Sequence, residues 1–183
     1  SDVEKSLGVE TLPSWRRVEG SLTQISVGAE GQIWGVNPFA GLLKKENDIW
    51  TEVDESFSQV STSYDGAVWG INNEGGILKK ENEKWTNIGG ELSQISVGSE
   101  SHVWGVNDEG KVYKRENDAW EQVDGWLSQV SVGCDGSVWG VNQQGKVYCR
   151  DGGYWTEIEG PMLSQVSVGS SSVVWGLTVE GNI

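Results

Sequence analysis

The sequence predicts an all-β protein, a five-bladed propeller of four-stranded antiparallel blades, from three observations. One sentence is written five times. Tryptophans recur at a fixed step. Gly-bounded runs of alternating residues fill the spaces between them. The sentence reads TQISVGAEGQIWGVN from Thr23, SQVSTSYDGAVWGIN from Ser58, SQISVGSESHVWGVN from Ser93, SQVSVGCDGSVWGVN from Ser128 and SQVSVGSSSVVWGLT from Ser164. One tryptophan set falls at Trp15, Trp50, Trp85, Trp120 and Trp155, each step 35 residues. A second falls at Trp34, Trp69, Trp104, Trp139 and Trp175, in steps of 35, 35, 35 and 36. So little length variation marks one rigid unit per repeat rather than a loose array.

The fourth repeat serves as template. LSQVSV, Leu127 to Val132, alternates and reads as the first strand. The turn GCDG leads to a second strand, SVWGVN, Ser137 to Asn142. QQG turns into a third, KVYCR, Lys146 to Arg150, and DGGY into a fourth that opens at Trp155. Helical spacing of apolar residues is absent, and Gly interrupts every window long enough for a helix. Repeats therefore run at about 15–49, 50–84, 85–119, 120–154 and 155–183. Leu7 stands eight residues before Trp15, and Ile183 eight after Trp175. That register predicts a single domain, 1–183, whose last blade is completed by residues 7–20, leaving no open blade edge. A propeller buries both faces of each blade. In SVWGVN, Gly140 leaves a dent on one face, which a neighbouring indole would fill; Gly35, Gly70, Gly105 and Gly176 are its equivalents. Most tryptophans then read as core.

Composition excludes several partners. Thirteen Lys and Arg against 27 Asp and Glu give a net charge of −14, so nucleic acid and anionic lipid would be repelled. No apolar run is long enough to insert in a membrane as a helix, and no leader peptide is visible. Cys134 and Cys149 are too few for a disulfide scaffold, and no Cys-x-x-Cys pair or Asn-x-Ser/Thr sequon occurs. One histidine, His102, cannot build a metal site alone, and no nucleophile elbow or phosphate loop is present. The chain is therefore expected not to be an enzyme. The turn carboxylates Asp65, Glu100 and Asp135 do not form a calcium loop, so no cofactor is expected and calcium is not needed for folding. The runs KKENDIW, KKENEKW and KRENDAW read as solvated hairpins, with Asn and Asp in left-handed positions.

The units LSQVSVG…VWGVN…G-V-Y…W resemble the tectonin repeat, the family of tectonins and of fish-egg and horseshoe-crab plasma lectins. The resemblance covers residues 15–183 and rests on five copies of a ten-residue pattern. It implies a propeller, usually of six blades, the alternative to five here. It further implies a secreted, extracellular lectin of innate defence that binds N-acetylglucosamine, lipopolysaccharide or O-methylated glycans on microbial or cell surfaces; some members bind calcium. A cytoplasmic protein is the alternative compartment, and a homo-oligomer is compatible with it. STSYDG in the second repeat and Thr178 in the fifth depart from the pattern.

A pyranose offers a C–H face and a rim of hydroxyls, so it suits an aromatic plane beside a planar amide. Each repeat places Trp and Asn three residues apart. The candidate carbohydrate-binding residues are therefore Trp34 with Asn37, Trp69 with Asn72, Trp104 with Asn107 and Trp139 with Asn142, and Trp175, which faces Thr178 in place of an amide. The competing reading of each Asn is a turn cap. Sites repeated around a ring would add avidity on a clustered glycan. A protein-interaction platform that recruits a basic partner to the acidic surface is the alternative function.

Overall fold

The computed structural model describes residues 18–46 and 48–183. Among the described residues seventeen strands follow in chain order. They are β1 (Gln24–Val27), β2 (Ile33–Val36), β3 (Gly41–Glu46), β4 (Ile49–Thr62), β5 (Val68–Asn72), β6 (Gly76–Glu81), β7 (Lys84–Glu91), β8 (Gln94–Ser99) and β9 (His102–Val106). Then come β10 (Lys111–Glu116), β11 (Ala119–Trp126), β12 (Gln129–Val132), β13 (Val138–Val141), β14 (Val147–Asp151), β15 (Tyr154–Ile158), β16 (Leu163–Ser170) and β17 (Val173–Thr178). Every pairing is antiparallel between sequence neighbours. Blade III is β8–β11 and blade IV is β12–β15. Blades I and II share one strand: the first part of β4 pairs with β3 and the remainder, from Phe57, with β5. Blade V contributes the hairpin β16–β17. The four strands expected in the fourth repeat are thus found within two residues of their expected ends.

Four complete blades and one inner hairpin are described. The expected completion of the last blade by residues 7–20 falls largely on residues 1–17, outside the described ones. Among the described residues the two end faces are open: Ile25 and Val27 on β1 and Trp175 on β17 are 57, 62 and 65 % exposed.

Each core lies between two blades. Trp34, Val36 and Leu42 of blade I meet Phe57, Val60, Val68 and Leu78 of blade II. The same positions recur between blades II and III and between III and IV. Trp34 pairs edge-to-face with Trp85 (5.9 Å), Trp69 with Trp120 (6.2 Å) and Trp104 with Trp155 (6.3 Å). Each pair therefore takes one indole from each tryptophan set. Burying one such indole is worth roughly 4–6 kcal/mol by area. The dents fill differently from expectation. A Cβ on Gly105 would strike Leu92, one on Gly140 Leu127 and one on Gly70 Phe57, each the residue that leads into the same blade's first strand. The outer indoles instead lie over Gly90 and Gly125 of the preceding blade, 3.2 Å and 2.8 Å from a Cβ built there.

The repeated Ser-Gln pair has a specific task. Gln94 on β8 donates its amide to the Val130 carbonyl (3.0 Å) and accepts from the Val130 N–H (2.9 Å). Gln24 binds Val60, Gln59 binds Ile95 and Gln129 binds Val166 in the same two-way manner. Two residues on, the hydroxyls of Ser26, Ser61, Ser96 and Ser131 accept the N–H of Thr62, Val97, Val132 and Val168. Inner strands of adjacent blades are thus joined by side chains rather than by a ladder. The lysine-rich hairpins are also less solvated than expected. Lys44 and Lys80 sit 5.6 and 5.9 Å from the Trp34 ring, and Arg150 lies between Trp104 and Trp155 at 5.5 and 5.2 Å. Asp48, Asn82, Glu83, Asn117 and Asp118 do adopt positive φ at the hairpin tips. Cys134 and Cys149 are free thiols.

On the face opposite the Asn turns, Asp65 accepts the N–H of Glu100 (2.8 Å) and Asp135 that of Ser171 (2.7 Å), each from the next blade. Burial pulls the Asp65 carboxyl upward, but the Ser63 hydroxyl and the Glu100 and Ala67 N–H groups outweigh it and hold it low. The Ser137 hydroxyl and the Ser171 N–H hold Asp135 well below the carboxylate range. A depressed folded-state pKa stabilises the fold above the unfolded-state value, and that contribution is lost as pH falls through the folded-state value. Thermal scans between about pH 6 and 2 should therefore show melting temperature falling below about pH 4. Asp135→Asn should lower the neutral-pH plateau and flatten the acid limb; an unchanged acid limb would count against the clamp.

Candidate functional site

The turn after each second strand is built on the Asn that ends it. Asn72 Oδ1 accepts the N–H groups of Glu74 (3.0 Å) and Gly76 (2.8 Å). Asn37, Asn107 and Asn142 do the same for residues two and four further on. Thr178 keeps half of this cap through Asn182 N–H to its hydroxyl, 3.0 Å. The amide orientation follows from these bonds: the oxygen is tied to backbone and the NH2 is left as a donor. The four turns lie on one rim of the blade array.

The Trp partners lie elsewhere. Trp34, Trp69 and Trp104 are 1, 2 and 9 % exposed inside the inter-blade cores, and Trp139 is half-buried. Only Trp175 presents its ring to solvent, on the open face of blade V. The structure thus brings the Asn ends together with different neighbours from those expected. Between blades II and III the rim opens into a groove of about 670 Å³. Asn72, Asn87, Glu91, Asn107, Tyr113 and Trp120 contribute its polar and aromatic lining, with Glu74 at the mouth. Asn87 Oδ1 is tied to the Gly89 N–H (2.9 Å), so it too offers its NH2.

Local backbone opens this groove. Gly89 and Gly90 both take positive φ (77° and 83°), a path that only Gly follows without strain. Blade III has Asp124 and Gly125 there, and the Asp124 carbonyl captures the N–H of Trp155 at 2.6 Å. The corresponding Trp120 N–H, above Gly90, has no hydrogen-bonding partner. The groove holds two carboxylates and no cation. In the next two turns Lys111 and Lys146 replace Gly76, and each is neutralised by an ion pair, with Glu109 and with Glu157 (2.8 Å). Those bonds hold the Glu109 and Glu157 carboxyls low and the two ammonium groups high. On the same rim blade I carries a more acidic pocket, with Glu52, Asp54 and Glu55 beside the exposed Phe39.

Sequence periodicity missed Trp120, Tyr113 and Asn87 as lining residues. The signal was the paired Gly89–Gly90, which breaks the repeat where the other blades carry an acidic residue. Among the described residues no cluster of His, Cys, Asp and Glu could hold a metal ion. His102 hydrogen-bonds Ser99 through Nδ1 (2.8 Å) and packs under the Gly136 turn, a local structural role.

Comparison with known proteins follows this geometry. A search of curated proteins finds no match. Solved structures share the fold. YCF48 from Cyanidioschyzon merolae superposes with TM-score 0.63 at 16% identity over 92% of this chain and 69% of that one. YCF48 bound to D1 peptide gives 0.60 at 19% identity over 83% and 60%, so the chain spans about three-fifths of that protein's length. SapL1 lectin in complex with alpha methyl fucoside gives 0.51 at 14% identity over 82% and 69%. At these identities the likeness is one of β-propeller architecture. The sequence model of the tectonin domain matches residues 4–83 and 65–183, which together span nearly the whole chain, and the chain belongs to the tectonin-domain family.

Proposed function

We propose that the chain is a multivalent, non-enzymatic carbohydrate-binding protein that takes neutral glycans in the inter-blade grooves of its Asn-turn rim. The observation that supports this reading is the II–III groove: three side-chain amides with their oxygens tied and NH2 groups free, a phenol and an indole, and no cation. Such a lining donates to ring and acyl oxygens, accepts from hydroxyls through Glu74 and Glu91, and repels sulfate, phosphate and carboxylate. N-acetylglucosamine-bearing or O-methylated glycans suit it, and of lipopolysaccharide the neutral sugar portion. Repetition around the rim would raise avidity on a microbial surface, consistent with a defensive role outside the cell. The Trp–Asn pairs contribute through their Asn ends, while the buried Trp members shape the groove walls.

The test is a glycan array read with and without calcium, followed by calorimetry. Neutral N-acetylhexosamine glycans should outrank sialylated and sulfated ones, with no loss on chelation. Asn→Ala would remove a turn cap along with the amide, so Tyr113→Phe is the cleaner probe. It should weaken binding about 3–10-fold with little change in stability. Failure to retain any neutral glycan, or a preference for anionic ones, would refute the reading.

A further inference from the structure

We propose that Trp126 is the aromatic sugar platform of the chain, serving the groove between blades III and IV. This inference rests on the glycan-binding reading of the rim and names the residue on which a pyranose stacks. In three blades the fourth strand ends at the rim in one register: Ser56 opposite Gly41, Glu91 opposite Gly76 and Trp126 opposite Lys111. A register shift beside each pair re-aims that residue away from the ladder. The side chain then leans on the positive-φ residue of the Asn turn. A Cβ on Gly75 would lie 3.8 Å from Glu91, and one on Gly110 3.6 Å from Trp126 Cδ1. Met162 takes the place over Gly145, at 3.0 Å. The support recurs at Gly75, Gly110 and Gly145, but the residue it carries does not. A position of that kind sets what each groove recognises.

Trp126 stands apart from the other tryptophans of the four complete blades. It is 70 % exposed, while Trp34, Trp69 and Trp104 are nearly sealed. No described ring or cation packs on it. Its strand partner Lys111 gives its N–H to Asn107 Oδ1 (2.9 Å), so a flat indole and a free amide NH2 meet at one strand end. Glu91, its equivalent, lines the II–III groove, which places Trp126 at the mouth of III–IV. That groove is shut further in by the Trp155–Asp124 bond, so a ligand there rests shallowly on the indole. The ligand this fits is a neutral pyranose with an unbroken C–H face toward the ring and hydroxyl or acetamido oxygens toward the amide. The grooves are then unequal, with one stacking site in the described chain.

The experiment titrates full-length protein with triacetylchitotriose, read by calorimetry and by tryptophan fluorescence, in wild type, Trp126→Ala, Trp126→Phe and Tyr113→Phe. Trp126→Ala should weaken binding at one site by about tenfold or more, as loss of a stacking partner does, and remove that site's share of the fluorescence change. Trp126→Phe should keep most of the affinity. Melting temperature should move by less than about 2 °C, since the indole packs on little. Trp126→Ala that binds like wild type overturns the proposal, and if Tyr113→Phe is weakened in the same experiment the groove reading itself stands. A Trp126→Ala protein destabilised by more than about 5 °C also overturns it, because the indole is then structural. Wild type that binds no glycan removes both.

Discussion

Gly98→Ala is expected to be among the most damaging single-methyl additions in the chain, costing roughly 3 kcal/mol or more. Gly98 closes the SVG of β8, where blade III meets the inner strand of blade IV. A Cβ there would overlap the Gly133 carbonyl oxygen and lie 2.8 Å from Val132 Cγ1 and 3.0 Å from the Gly133 carbonyl carbon. Two of those atoms are backbone and cannot rotate away. Overpacking of a tight interior ordinarily costs about 1–3 kcal/mol, and a rigid neighbour puts the cost at the upper end. For a domain of this size that lowers the melting temperature by about 6–12 °C. Gly66→Ala is the matched control: no atom lies within 4 Å of its Cβ, and its penalty is only the strain of positive φ (88°). Equal shifts for the two variants would show that inter-blade backbone contact is not what requires Gly98.

The second repeat shows why such contacts were only half legible from sequence. SVG and STS both sit at the end of the inner strand, and the sequence marks Ser63 in STSYDG as a departure. In the structure Ser63 still serves the ring, through its backbone. Its carbonyl accepts the Ala29 N–H (3.1 Å) and lies 3.0 Å from a Cβ on Gly28. Spacing declared the blade, its four strands and its turns, because side-chain alternation and turn chemistry are local properties. It could not declare which blade each polar side chain reaches. Ser-Gln reads as an ordinary exposed pair, yet each Gln crosses to the next blade. The Trp–Asn spacing was legible but its meaning was not: the pleat sends Trp34, Trp69 and Trp104 into the core, while Asn ends the strand and caps its turn. Trp126 was visible by subtraction. Ten of the 11 tryptophans fall into the two periodic sets, and the eleventh is Trp126, 70 % exposed. Groove shape could not be read from the period, because it turns on a local break in it, two left-handed glycines at positions 89 and 90.

Gln94→Leu should cost about 1–3 kcal/mol although it replaces a polar residue by an apolar one of similar size. The Gln94 amide satisfies both backbone groups of Val130, a residue with no exposed surface, and its Nε2 also reaches the Ile95 carbonyl at 3.0 Å. Leucine fills the space but orphans the buried Val130 N–H, a loss of about 1–3 kcal/mol, and strips the Val130 carbonyl of one of its two donors, leaving Gln129 Nε2 at 3.1 Å. Hydrophobic gain from the new side chain offsets little, because the site is bounded by main-chain atoms of two inner strands. Gln94→Glu sharpens the argument. At neutral pH its carboxylate still accepts from the Val130 N–H but faces the Val130 carbonyl with no proton to give. Protonation restores the missing donor, so the variant should regain stability relative to wild type as pH is lowered toward about 4. Gln122→Leu, on the exposed face of β11, should change stability by about 0.5 kcal/mol or less. Denaturant melts of the three variants decide the matter. If Gln94→Leu melts with Gln122→Leu, the blades are held by their indole cores alone and the two-way glutamine bonds add nothing measurable.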